Sequence, residues 1–149
     1  MGVDATDVYG SIVKIYKLLH RRLSEKMGNT SLTILDFWIL KSLRDGAKPM
    51  VELANSLYVT QAAITNSVDR LEQNGFVTRS KDKRDRRINI ISITGKGEEF
   101  LREIDVAYRE IAIASLKELS SEDLFNLVVL LGKVLKGLSE TMSNEPPSK

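Results

Sequence analysis

Between Arg79 and Arg87, nine residues hold six cations (Arg79, Lys81, Lys83, Arg84, Arg86 and Arg87), with Asp82 and Asp85 set among them. That local surplus of +4 sits in a chain whose formal net charge is +2, so the remainder is slightly acidic and the positive field belongs to one short segment. Arginines at this density suit contact with a polyanion. A guanidinium pairs bidentately with phosphate, and arginines enter narrow minor grooves where the potential is most negative. The aspartates are spaced to orient those guanidiniums. A lysine-rich turn can also serve only to keep a hairpin soluble and unpaired, but the arginines outnumber what solubility needs.

The segment just upstream, TQAAITNSVDRLEQNG from Thr60 to Gly75, points the same way. At about 100° per residue, Ile64, Val68 and Leu71 share a narrow inward face of a helix. Ala62, Asn66, Asp69 and Gln73 point the opposite way, flanked by Ala63, Thr65 and Arg70. A solvated amphipathic helix has the same broad pattern. Here, however, the outward residues near the start (Thr60, Gln61, Ala62, Ala63, Thr65, Asn66) are short enough for a groove to approach. Gln and Asn can pair bidentately with adenine, and Ala or Thr methyls can meet the thymine methyl. The helix N-terminus offers free N–H groups to a phosphate. Asp69 runs against this reading unless Arg70 or an arginine of the following hairpin holds it.

The elements that would position these residues can be read in order. Val8, Ile12, Ile15, Leu19 and Leu23 recur in steps of three or four over residues 6–27, with Tyr9, Tyr16 and His20 as a second stripe, so the first helix has two sides to bury. Gly28-Asn29 stops it. A second helix from about Thr33 is expected to bury Leu35, Trp38, Ile39, Leu40 and Leu43 before the Asp45-Gly46 turn. Pro49 precedes a short third helix with Met50, Leu53, Ala54 and Leu57 inside. Tyr58-Val59 turns into the fourth helix, with Thr60 as its N-cap and Gly75 as its left-handed stop. The period then changes to two in FVTRS and RINIISIT, a hairpin with KDKRDR at its tip. Thr94 caps a long helix over 96–118, and SSED opens a last one carrying Leu124, Leu127, Val128, Leu131, Val134, Leu135 and Leu138. A helix-turn-helix followed by a hairpin is a mainly α (α+β) winged helix-turn-helix.

Composition narrows the function classes. The 42% hydrophobic content excludes a wholly disordered chain. With no cysteine there is no disulfide, thiol catalysis, thiol-based peroxide sensing or cysteine-bound zinc. One histidine, no phosphate-cradling glycine loop and no cluster at metal-ligand spacing leave an enzyme, cofactor or metal unsupported. The acidic start lacks an apolar signal region, and LVVLLG is far too short to span a bilayer, so a cytoplasmic protein without membrane contact is expected.

The span from Asp36 to Gly97 closely resembles the MarR-type transcriptional regulators, through DFWIL, the turn RDG, ELANSLYVTQAAITNSVDRLEQNGFVTRS, the wing DKRDRR and the closing ISITGKG. The resemblance implies one MarR-type domain: a DNA-binding lobe over 32–96, dimerisation helices over 6–28 and 96–142, and a disordered tail over 143–149. It further implies a homodimer on double-stranded DNA, each recognition helix in a major groove and each wing in a minor groove. Thr60, Gln61, Ala62, Thr65, Asn66 and Arg70 match the recognition-helix contacts, and Arg84, Asp85, Arg86 and Arg87 match the wing. It also implies a repressor released by a small phenolic or aromatic carboxylate effector, for which Tyr9, Tyr16, Lys17, His20, Arg21, Phe37 and Trp38 are the candidate pocket. Two-faced apolar helices at both ends independently favour a dimer. Two-fold symmetry then predicts a pseudo-palindromic operator with half-sites about one helical turn apart. Two other readings stay open: a winged helix that binds an acidic protein partner, and an architectural protein indifferent to DNA sequence.

Overall fold

The computed structural model describes residues 2–28 and 30–144. The described elements are α1 (Ala5–Met27), α2 (Ile34–Ser42), β1 (Lys48–Pro49), α3 (Met50–Ser56), α4 (Gln61–Gln73), β2 (Val77–Lys81), β3 (Asn89–Ile93), α5 (Gly95–Ser115) and α6 (Ser121–Ser143). Backbone packing divides the chain into two compact units, residues 1–111 and 112–149. The tail expected over 143–149 begins inside helix, since Ser143 closes α6. Its residues 145–149 lie outside the described ones.

In the first unit, side-chain caps set the helix starts. Asp4 and Asp7 form a capping box at α1, and Thr33 and Asp36 form another at α2. The Thr60 hydroxyl accepts from the Ala63 N–H at 3.1 Å. Each such cap satisfies an otherwise orphaned donor and contributes about 1 kcal/mol. Between α3 and α4 the chain turns at Tyr58, whose φ of +56° makes it the one non-glycine residue with positive φ among those described. Gly75, with φ of +77°, ends α4 and turns the chain into the hairpin.

The inward face of α4 is as the periodicity predicts: Ile64, Val68 and Leu71 are fully buried. Burial of each stabilises the fold by about 1.5–3 kcal/mol. They meet Phe37, Ile39, Leu40 and Leu43 of the α2 segment, Leu53 and Ala54 of α3, Val77 and Ile91 of the sheet, and Leu101 and Ile104 of α5 in one core cluster. Leu23 and Met27 close it from α1.

Two expectations fail here. Leu35 and Trp38 are only partly buried, whereas Phe37 is wholly inside. The stretch ILDFWIL is apolar nearly all round, so spacing alone did not select its inward face. The sheet also has a third strand: β1 pairs antiparallel with β3, Lys48 opposite Ile91 and Pro49 opposite Ile90, giving the order β1-β3-β2. Two residues are too few to show a period of two, and β1 is an edge strand, where proline is tolerated.

The base of the hairpin is tied to the start of α5. Phe76 stacks on Phe100 with ring centroids 4.7 Å apart. Thr94 donates from its hydroxyl to the Gly75 carbonyl at 2.6 Å and accepts from the Gly97 N–H at 3.0 Å. Gly97 lies so close to Phe76 that a Cβ there would fall 2.2 Å from the Phe76 carbonyl oxygen.

Outside this core, Val8, Val13, Ile15 and Leu18 of α1 are exposed. In the second unit, Ser120 and Asp123 cap α6, which has no buried residue; Phe125, Val128, Leu131, Leu135 and Leu138 all stand exposed. Among the described residues, no helix is long and apolar enough to cross a membrane.

Candidate nucleic-acid interface

α4 presents its residues in three ways. Gln61, Ala62 and Asn66 are exposed, and among the described residues the amide groups of Gln61 and Asn66 have no intramolecular partner. The hydroxyls of Thr60 and Thr65 are engaged with the protein: Thr60 holds the cap, and Thr65 donates to the Gln61 carbonyl at 2.9 Å. Arg70 is drawn inwards. Its Nε donates to Oδ2 of Asp36 at 3.1 Å, and its Nη2 to Oδ1 of Asp36 at 3.1 Å and to the buried Ser67 hydroxyl at 3.0 Å. The guanidinium counted with the outward residues is thus engaged by a carboxylate on α2.

Asp69, the acidic residue on the outward side, is held by the wing. Arg79 on β2 donates to it at 2.6 Å and lies 3.8 Å from Glu72. Of the two holders expected, the wing arginine is the one observed.

The hairpin tip is organised by its aspartates, each in a different way. Asp82 accepts from the backbone N–H groups of Arg84 and Asp85 at 2.8 and 3.0 Å, so it shapes the loop and grips no guanidinium. Asp85 does grip one: Nε and Nη2 of Arg87 donate to its two oxygens at 3.0 and 3.1 Å, and the Arg87 N–H adds a third bond at 3.0 Å. The Arg87 side-chain fork, backed by its backbone N–H, holds the Asp85 carboxyl below the usual carboxylate range. The Arg87 guanidinium is pushed up in turn. Yet Arg87 is 90% exposed, so its orientation is set while its outer face stays open. Arg84 and Arg86 are exposed and unpaired among the described residues. A cleft of about 460 Å³ opens beside the tip between Ser80, Lys81, Asp82, Lys83, Arg84 and Ile90.

A second cleft, of about 310 Å³, is lined by Tyr16, Ile34, Leu35, Trp38, Leu57 and Val59. It brings together only Tyr16 and Trp38 of the candidate effector residues. Tyr9, Lys17, His20 and Arg21 are exposed on α1 outside this lining. Phe37 is a core residue, fully buried against Trp38 and Tyr108 with ring centroids 5.3 and 5.8 Å away.

Asp36 is the residue that reading the chain missed. Thr33 and Asp36 have capping-box spacing, a visible signal, but nothing local shows that the same carboxylate receives Arg70 from 34 positions away.

A short helix, a tight turn, an exposed helix with free amides and a hairpin tipped with unpaired arginines define a winged helix-turn-helix DNA-binding protein. Comparison with known proteins agrees. A sequence model of the MarR family matches residues 32–88. The HTH-type transcriptional regulator PecS of Dickeya dadantii is 28% identical over 142 residues, covering 93% of this chain and 86% of that protein. Among solved structures, the transcriptional regulator BldR of Sulfolobus solfataricus is 34% identical with a TM-score of 0.72, over 94% of this chain and 95% of that one. A mutant MarR of E. coli complexed with operator DNA is 25% identical with a TM-score of 0.74, over 89% of this chain and 99% of that one. The chain belongs to the MarR family: it is a transcriptional regulator, not an enzyme.

Proposed function

We propose that this protein is a sequence-specific repressor that binds a pseudo-palindromic operator as a homodimer, using residues 32–96 to read DNA and residues 6–28 and 96–142 to pair. The observation that carries the reading is the pairing of two surfaces: α4 with the free amides of Gln61 and Asn66, and a wing whose Arg87 is pre-oriented by Asp85. In this reading Gln61 and Asn66 choose bases in the major groove, aided by the Ala62 methyl and by Thr60 and Thr65 at the groove floor. Arg84, Arg86 and Arg87 supply affinity at the minor groove, where a held guanidinium loses less freedom on binding. The exposed apolar residues of α1 and α6 support the homodimer, because a monomer rarely carries apolar surface on that scale.

A small phenolic or aromatic carboxylate is proposed as effector, with the cleft at Tyr16 and Trp38 as its site. The cleft's apolar lining and its volume of about 310 Å³ suit one aromatic ring.

Titration of the protein against promoter duplexes at several salt concentrations tests the reading. Binding with a steep salt dependence, and a preference of about 10³-fold or more over scrambled duplex, is expected. Arg86→Ala with Arg87→Ala should abolish the shift and leave the dimer intact. Equal affinity for scrambled DNA would favour an architectural protein instead. No binding to any duplex would favour a protein-binding winged helix.

A further inference from the structure

We infer that Arg70 serves DNA binding as a positioning residue, acting through the buried carboxylate of Asp36 rather than by touching phosphate itself. The inference rests on the DNA-binding reading above, but its geometry lies wholly within the protein.

Asp36 is fully buried, and the side chain of Arg70 is 34% exposed. Three donors converge on the Asp36 carboxylate: Nε of Arg70 on Oδ2 at 3.1 Å, Nη2 of Arg70 on Oδ1 at 3.1 Å, and the Thr33 N–H on Oδ2 at 2.9 Å. The Thr33 hydroxyl accepts in return from the Asp36 N–H at 3.3 Å. One carboxylate therefore closes the first turn of α2 and takes the fork of an arginine on α4. The same Nη2 reaches Ser67, one turn back on α4, at 3.0 Å.

This arrangement fixes the rotation of α4 about its own axis. Ile64, Val68 and Leu71 form an apolar contact that tolerates some roll, since dispersion and burial are non-directional. The bidentate pair does not tolerate roll, because a fork meets a carboxylate in one plane. The roll of α4 decides where Gln61, Ala62 and Asn66 point. For Arg70 to swing out to a phosphate, it would leave a wholly buried carboxylate without its counter-charge, which is strongly disfavoured.

Phosphate contact and positioning predict opposite results for the same variants. The full chain is measured against the duplex selected by the wild-type protein, and against its scrambled counterpart, over a series of KCl concentrations. Asp36→Asn keeps the shape and frees the Arg70 charge. Positioning predicts that Asp36→Asn and Arg70→Gln each weaken binding by about tenfold, and that the double variant is no worse than either. It also predicts that preference over scrambled DNA falls while the slope of log affinity on log salt stays at the wild-type value. Phosphate contact predicts that Arg70→Gln lowers that slope by about 0.9 per protomer, and that Asp36→Asn leaves affinity unchanged or raises it. That result would overturn the inference.

Arg70→Lys carries the test if Asp36→Asn does not fold. It keeps the charge but not the fork, so weakened binding supports positioning and wild-type affinity overturns it. Hydrogen exchange of the free protein separates this inference from the function it rests on. The amides of α4 should lose protection in Asp36→Asn and Arg70→Lys even if the wild-type protein binds no duplex. Unchanged protection in both would overturn the inference on its own.

Discussion

Arg79 on β2 and Asp69 on α4 are joined by a hydrogen-bonded ion pair of 2.6 Å, so the first wing strand grips the outward side of α4, the proposed recognition helix. A carboxylate facing DNA would repel phosphate, and this pair neutralises it from within the protein. Glu72, also on α4, lies 3.8 Å from the same guanidinium.

Arg79→Ala should therefore cost more in DNA binding than in stability. The pair is partly exposed, so the fold should lose only about 0.2–1 kcal/mol, read from the urea midpoint. DNA affinity, read by fluorescence anisotropy, should fall further, and adding Asp69→Asn should restore part of it. A variant that unfolds more easily but binds DNA like the wild type would refute this link.

Gly97→Ala should destabilise the lobe by about 1–3 kcal/mol, the usual cost of overpacking. The new methyl would meet the Phe76 carbonyl oxygen at 2.2 Å and Cγ1 of Ile93 at 2.8 Å. Gly95 has nothing within 4 Å of a Cβ and provides the control. Denaturant unfolding of the two variants side by side makes the comparison.

Acid sensitivity should trace in part to Asp105. The hydrogen bond from Lys41 holds its carboxyl below the usual range, with burial opposing and Arg44 adding to the effect. A depressed carboxyl stabilises the folded state above the ordinary carboxylate pKa, and that contribution is lost as pH falls through the folded-state value. Asp105→Asn should thus be least stable relative to wild type at neutral pH, with the gap closing below about pH 4. A gap independent of pH would contradict the assignment.

Val128→Asp with Leu135→Asp should convert the proposed homodimer into a monomer, read by light scattering at fixed concentration. Both residues are exposed on α6 in the single chain, at 70% and 49%. Were α6 free in solution, the double variant would change neither mass nor stability.

Trp38, the chain's one tryptophan, gives a direct optical test of the cleft. Benzoate should quench or shift its emission and weaken DNA binding over the same concentration range. Emission and DNA affinity both unmoved would leave a regulator without this class of effector.

Much of the framework of the candidate site was legible locally. The inward row Ile64, Val68 and Leu71 follows from a 3.6-residue period, and the Thr60 and Thr94 caps follow from residue type just ahead of a helix. The hairpin follows from β-branched alternation on either side of a charged tip. The face of α2 was not legible, because ILDFWIL offers several apolar stripes and only tertiary packing puts Phe37 wholly inside and leaves Trp38 partly buried. β1 was hidden because two residues carry no periodicity.

By itself the sequence determined the kinds and order of the elements other than β1, and which segment carries the positive charge, since these depend on neighbours a few positions apart. Tertiary structure alone decided which charges are free. Arg70, Arg79 and Arg87 are alike in sequence, yet Asp36 buries one pairing, Asp69 ties another to α4, and Asp85 leaves the third open to solvent. Ion pairs act over a few ångströms regardless of separation along the chain. The partner 34 residues away is therefore as near as the one two residues away, but only the folded chain shows it.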